Sequence, residues 1–389
     1  MRPVNSIYRA LGTTVFESMS RLAAEHDAVN LGQGFPDDRG PDDVRRAAAE
    51  ALVDGGNQYP SMLGLPSLRQ AIARHEQRFY GLAFDWQSEV LVTSGATEAL
   101  AAAIFALIEP GDEVVLFQPA YDAYAPLVRR AGGIPRFVTL APPAWTLTAD
   151  ALAAACSPKT KLIVLNNPLN PAGKVFSPAE LAVLARAVAA HDAYVVADEV
   201  YEHIVFDGAR HQPFIALPGM RERTIKIGSA GKTFSLTGWK VGLVVGPPAL
   251  IQPVGRAHQF LTFTTPPNLQ AAVAFGLDKP DEFYGGLARE LQRRRDRLAG
   301  GLRALGLTVL PAGGAYFLNV DIRSITASAS FTGSDVDFCR HLVEHVGVAA
   351  IPLSAFYEEH AATHLVRFCF AKQDAVLDEA LRRLRVRFG

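Results

Sequence analysis

The chain has 389 residues, 49% of them hydrophobic and 20% charged, and its 38 basic and 39 acidic side chains leave a formal net charge of -1. At roughly 100 to 200 residues per domain, that length suggests two or three domains, with a core large enough that its size does not limit stability. The charge balance lacks the Lys/Arg surplus that polyanion binding needs, so nucleic acid is not an expected partner. The longest apolar run, Ala99 to Ile108, falls well short of the roughly 20 residues of a transmembrane helix. Met1 to Ser6 leads into no apolar signal core before Glu17, so the expected location is cytoplasmic. Cys156, Cys339 and Cys369 are odd in number and widely spaced, which fits buried thiols better than disulfides or a zinc pair.

In chain order, residues 1–40 have weak periodicity and are expected to pack against the small domain and a subunit interface. Beyond them, short β-branched runs alternate with stretches of helical period, the grammar of βαβ units. Glu89 to Thr93 reads as a strand and Thr97 to Ile108 as a helix. Further strands are predicted at Glu113 to Phe117, Ile134 to Leu140, Lys161 to Asn166, Ala193 to Asp198, Thr224 to Gly228 and Val241 to Val245. Pro178 to His191 reads as a helix, with Ser177 as its N-cap and Pro178 at its first position. The expected fold class is α/β: a large domain over 41–280 with a mostly parallel sheet sandwiched by helices. Ligands of such sheets sit beyond the carboxyl ends of the strands. After residue 280 come a long charged helix, Asp281 to Leu305, a hairpin around Pro311 to Gly314, and more α+β alternation. A smaller α+β domain is therefore expected over 281–389.

Gly231-Lys232-Thr233 follows a predicted strand and invites two readings. A phosphate-cradling nucleotide loop would need glycine five residues before Gly231, where Lys226 stands, and a helix after the lysine. Thr237-Gly238-Trp239 and a new strand arrive instead. The second reading is a lysine held at a strand end among small residues, suited to Schiff-base formation with an aldehyde cofactor. Asp198 ends an apolar strand, where an unpartnered carboxylate is costly to bury. It should either meet a cation or cap the next helix. Ser94-Gly95-Ala96-Thr97 joins a strand to a helix, so the backbone N–H groups of Ala96 and Thr97 either face an anion or are capped by a side chain.

Ser229-x-Gly231-Lys232-x-x-x-x-Thr237-Gly238-Trp239-x-x-Gly242 resembles the cofactor-lysine motif of the class I and II aminotransferases, pyridoxal 5'-phosphate enzymes of fold type I. Val29 to Asp37, Asn167 to Phe176, Asp198 to His203 and Val366 to Phe370 resemble the same family in order. The likeness spans nearly the whole chain and is nearest to the kynurenine, glutamine and methionine aminotransferases.

That resemblance implies a role for each matching residue. Lys232 carries the cofactor, Asp198 pairs with its pyridinium nitrogen, and Tyr201 and Asn170 donate to its ring oxygen; Asn170 is also a turn former beside Pro171. Ala96, Thr97, Ser229 and Lys240 contact the phosphate, with Lys240 where many relatives carry arginine. Tyr121 stacks on the ring, a position that ordinary core packing also explains. Tyr59 is lent to the phosphate of a partner subunit, so a homodimer is implied. Arg367 grips the substrate α-carboxylate, the alternative being a structural salt bridge. Gly34, Phe16 and Phe263 lie at the substrate pocket, whose apolar character favours methionine, aromatic or glutamine-like donors over aspartate.

The implied reaction is ping-pong transfer of an amino group from an amino acid to a 2-oxo acid, with Lys232 also moving the Cα proton. An ordinary lysine pKa of about 10.4 must then be lowered by burial and nearby positive charge. A pyridoxal-phosphate β-lyase acting on cysteine S-conjugates is the alternative, with a cofactor-binding regulator and a nucleotide-binding protein more remote. No metal is expected: His341 and His345 are four residues apart on a predicted helix but lack a third ligand, and they read as a solvated face, as do His360 and His364. Arg293-Arg294-Arg295 reads as an exposed charge run.

Overall fold

The computed structural model describes residues 2–324 and 333–389. Its main sheet has seven strands: β2 (Val90–Thr93), β3 (Glu113–Gln118), β4 (Ile134–Thr139), β5 (Thr160–Asn166), β6 (Tyr194–Asp198), β7 (Thr224–Ser229) and β8 (Gly242–Val245). They lie in the order β2-β8-β7-β6-β5-β3-β4. β8 runs antiparallel to both neighbours; the other adjacent pairs are parallel. Successive residues of a strand point to opposite faces, and here both faces are covered. Val115, Ile163 and Val195 enter one apolar cluster while Val114, Leu162 and Val196 enter another. Continuous apolar runs, rather than alternation, are the mark of strands buried on both faces.

Strand register brings distant motifs to one edge of this sheet. Thr93 and Ser229 both stand opposite Gly242, Ile227 stands opposite Asp198, and Asp198 opposite Asn166. Gly242 must lack a side chain, since a Cβ would lie 2.2 Å from the Thr93 hydroxyl. Predicted boundaries hold to within a residue or two; the first crossover helix, for example, spans Ala96–Leu107 rather than starting at Thr97.

A second sheet has the order β12-β13-β10-β9, formed by β9 (Thr308–Val309), β10 (Phe317–Asp321), β12 (Ile351–Pro352) and β13 (Leu365–Cys369). β9 and β10 are the arms of the expected hairpin. The N-terminal segment joins this half, because β1 (Val29–Asn30) pairs in parallel with β11 (Val348–Ala349). The long helix Asp281–Ala304 pins it further, and here the charge-run reading is corrected. Arg294 and Arg295 are each only 8% exposed. Arg294 pairs with Asp38 and Glu290, and Arg295 with Asp207 and Asp296. Their apolar stems bury against the core while their charges find partners, so three adjacent arginines do not share one solvated face. His360 and His364 lie in a loop, with His360 exposed and at φ +53°. Cys339 and Cys369 are buried as expected, and Cys156 is half-buried.

Candidate active site

Beyond the carboxyl ends of β2, β6 and β7 lies a cavity of about 380 Å³. Ala96, Thr97, Tyr121, Asn170, Asp198, Tyr201, Lys232, Arg367, Gly34 and Phe16 all line it. These residues span more than 350 positions of the chain and come from both sheets and the N-terminal segment.

Lys232 sits on the single turn Ala230–Thr233 that follows β7. No long helix follows it, which removes the nucleotide-loop reading. Its Nζ lies 5.9 Å and 5.8 Å from the ring centres of Tyr201 and Tyr316. Burial pulls its pKa down to about 8, with Lys240 and Arg367 acting in the same direction and Asp198 against it. The low pKa that an amine base requires is therefore present.

Asp198 is 5% exposed at the end of β6. Its carboxylate accepts a 2.6 Å hydrogen bond from the Tyr124 hydroxyl and lies 3.5 Å from the Val200 N–H. No helix follows for it to cap. Burial pushes its pKa up to about 6, against the Tyr124 bond and the charge of Lys232. A buried acid held this way, among described residues without a salt-bridge partner, suits a cationic ring nitrogen.

The surroundings of Arg367 bear on its two readings. It is 1% exposed on β13 and makes no salt bridge to any described carboxylate. Its NH1 donates to Asn170 Oδ1 at 3.1 Å and its NH2 to the Gly32 carbonyl at 2.8 Å, while Nε has no partner. The rings of Phe317, Phe356 and Phe16 surround the guanidinium at 4.1, 4.9 and 5.3 Å. Burial lowers its pKa to about 10. A desolvated guanidinium with free hydrogen-bonding capacity, opening on a cavity, has the chemistry to receive a carboxylate.

The anion corner is also resolved. The helix Ala96–Leu107 has Gly95 as its N-cap, at φ +83°, and no side chain caps it. Its first N–H groups are free for a ligand anion. A Cβ on Gly95 would come within 3.0 Å of Lys240 Cε, so the glycine lets that lysine approach the helix end. The donor set therefore fits pyridoxal 5'-phosphate: an amine, a buried acid, and an uncapped helix terminus with a cation beside it.

Four expected residues do not line this cavity. Ser229 is buried behind it and Lys240 is exposed next to Gly95. Tyr59 is 82% exposed and packs edge-on against Phe263 at 5.4 Å, both outside the cavity. Phe263 therefore does not join Phe16 in the pocket of its own chain.

Sequence reasoning missed Tyr124 and Tyr316. Tyr124 lies three residues beyond Tyr121, close enough in sequence to share its face, but its bond to Asp198 crosses 74 positions. Tyr316 donates to the Gly34 carbonyl at 2.8 Å and stands edge-on to Tyr201 at 5.1 Å.

A mostly parallel sheet with an amine and an acid at its carboxyl edge, and an uncapped helix end beside them, fits a pyridoxal-phosphate enzyme. The chain belongs to the aminotransferase class I and II family, whose model matches residues 26–384. It is 47% identical to a probable N-succinyldiaminopimelate aminotransferase DapC of Mycobacterium tuberculosis, over 97% of each chain. The solved structure of the M. tuberculosis N-succinyldiaminopimelate aminotransferase superposes with a TM-score of 0.95, covering 99% of this chain and 100% of that one. The methionine aminotransferase of Escherichia coli is 43% identical over 96% of each chain, and the structure of E. coli YbdL, given a methionine aminotransferase function, superposes at a TM-score of 0.94, covering 99% of this chain and 100% of that one. A kynurenine–oxoglutarate transaminase of Dictyostelium discoideum is 40% identical over 95% of this chain and 93% of its own. The chain is thus a pyridoxal-phosphate-dependent aminotransferase acting on amino acids and oxo acids. Among the described residues, no helix is long and apolar enough to cross a membrane.

Proposed function

We propose that this aminotransferase takes neutral donors, methionine or an aromatic or glutamine-like amino acid, and passes their amino group to a 2-oxo acid by a ping-pong route. The observation that carries the reading is the cavity wall: among the described residues, Arg367 and Lys232 are its only lysine or arginine residues, so after the α-carboxylate is gripped this chain's own wall offers no further cation to a second one. Phe16, Phe35 and Phe317 supply an apolar lining. The relatives' printed names include both dicarboxylic and neutral substrates, and this lining favours the neutral ones.

Pyridoxal phosphate, when bound, supplies an aldehyde that couples to amines and a ring that draws charge from the substrate Cα. Lys232 would hold it covalently, with Asp198 at its ring nitrogen and Tyr121 against its face. Tyr201 and Asn170 would serve its ring oxygen, and Ala96, Thr97, Ser229 and Lys240 its phosphate. Arg367 and the Gly34 backbone orient the amino acid. Once released, the Lys232 amine moves the proton from the substrate Cα, and its lowered pKa keeps a share of it neutral near physiological pH. Phe16, Tyr121 and Tyr201 give that step an aromatic wall.

A homodimer belongs to this reading. Tyr59, Phe260 and Phe263 are 82%, 87% and 39% exposed, an apolar aromatic surface of the kind that marks an interface. Tyr59 and Phe263 would reach the partner's site. The domain division at about residues 41 and 281 is supported by the separation of the seven-stranded sheet from the four-stranded one and from the β1–β11 pair.

The test is turnover of the purified protein with methionine, phenylalanine, glutamine and glutamate, read as oxo-acid formation, with Lys232→Ala as control. Turnover with neutral donors and its loss in the variant are expected. A preference for glutamate, or an active variant, overturns the reading. Light scattering tests the dimer.

A further inference from the structure

A second cavity of about 360 Å³ adjoins the first, and the two share Thr14, Phe16, Tyr121 and Asp122 as walls. Leu11, Val15, Pro126, Phe137 and Phe356 give the second chamber an apolar interior, and among the described residues no lysine or arginine lines it. Its other carboxylate, Glu358, is taken by Arg129 at 2.9 Å. Asp122 differs. It faces both chambers, is exposed to solvent there, and makes no salt bridge to any described residue.

We propose that the donor side chain passes beside Phe16 and Tyr121 into this second chamber, and that Asp122 at the junction is the specificity residue that turns away side chains ending in a carboxylate. The proposal rests on the aminotransferase reading above, with Arg367 as the α-carboxylate grip. With the α-carboxylate fixed there, a side chain leaving the first cavity toward the second must pass the Asp122 carboxylate. A neutral thioether or aromatic ring passes without electrostatic cost and gains apolar contact beyond. A second carboxylate meets a like charge at the junction and is repelled there, while a neutral side chain is not. Selection against the wrong partner by a built-in repulsive group is an established route to specificity.

The experiment measures kcat/KM of the cofactor-loaded enzyme for methionine, phenylalanine, alanine and glutamate in the wild type, Asp122→Asn, Asp122→Ser and Ala120→Leu. Removing the charge is expected to raise the glutamate-to-methionine ratio of kcat/KM by about tenfold. Ala120→Leu, which narrows the second chamber, is expected to lower the phenylalanine-to-alanine ratio by about tenfold. A glutamate ratio within about twofold of wild type in both Asp122 variants overturns the role of Asp122, and an unmoved phenylalanine ratio overturns the passage. A wild type that makes oxo acid from none of these donors overturns the aminotransferase reading and this inference together, whereas an active enzyme indifferent to Asp122 overturns only the latter.

Discussion

Replacing Asp198 by asparagine is expected to stabilise the cofactor-free protein and destabilise the loaded one. In the cofactor-free chain the carboxylate is buried with the Tyr124 hydroxyl as its best partner, and its pKa rises from 3.8 to about 6. A group whose folded pKa is raised contributes stability that is complete below its unfolded pKa and is lost as pH rises through the folded value. A shift of about 2 units at 1.36 kcal/mol each gives about 3 kcal/mol lost between pH 4 and pH 7. Asparagine carries no charge to bury and keeps nearly the same shape, so it escapes this loss. When a cationic ring nitrogen is present the order inverts, because the carboxylate then has the partner the fold withholds.

Thermal or urea unfolding of cofactor-free and loaded protein, wild type and Asp198→Asn, across pH 4 to 8 reads this directly. The cofactor-free variant should exceed the wild type by a margin that grows from pH 4 to 7 and then levels off, while in the loaded pair the wild type leads. A margin that is absent at pH 8, or that shrinks as pH rises, would refute the claim that Asp198 is an acid buried in wait for a cation.

The remaining predictions concern neighbouring charges. Arg367→Lys keeps the positive charge but loses the planar fork, so kcat/KM should fall by roughly a hundredfold, mostly through KM; unchanged KM in steady-state kinetics contradicts the α-carboxylate assignment. Acylation of Lys232 in the cofactor-free protein should gain rate as pH rises through about 8, because burial lowers its pKa to about that value; mass-spectrometric labelling that titrates near the ordinary lysine value counts against it. Lys226, 1% exposed, pairs with Glu76 and with Glu202 at 2.7 Å. Lys226→Met strands two buried carboxylates and should cost about 3 to 5 kcal/mol in urea unfolding. Adding Glu76→Gln and Glu202→Gln should restore part of that loss.

Local sequence determined much of this protein. Apolar runs bounded by turns located the inner strands of the main sheet, because strands buried on both faces must be continuously apolar; the edge strand Ile134–Thr139 carries Pro135 and Arg136 and is largely exposed. The small-residue setting of Lys232 and the strand-ending Asp198 singled both out as candidates, and the resemblance of their motifs to the aminotransferases implied their roles. Arg367 could be read only as one of two things until its surroundings were known. Tertiary structure favours one of them, since only the fold reveals that no described carboxylate pairs with it and that Phe16, Phe317 and Phe356 enclose it. The same holds for Tyr124 on Asp198, for the buried Arg294 and Arg295, and for the second chamber at Asp122. Periodicity and turn chemistry act over a few residues and are written in the local order of the chain. Burial, charge pairing and cavity shape depend on which distant segments meet, and that is set by sheet register and packing.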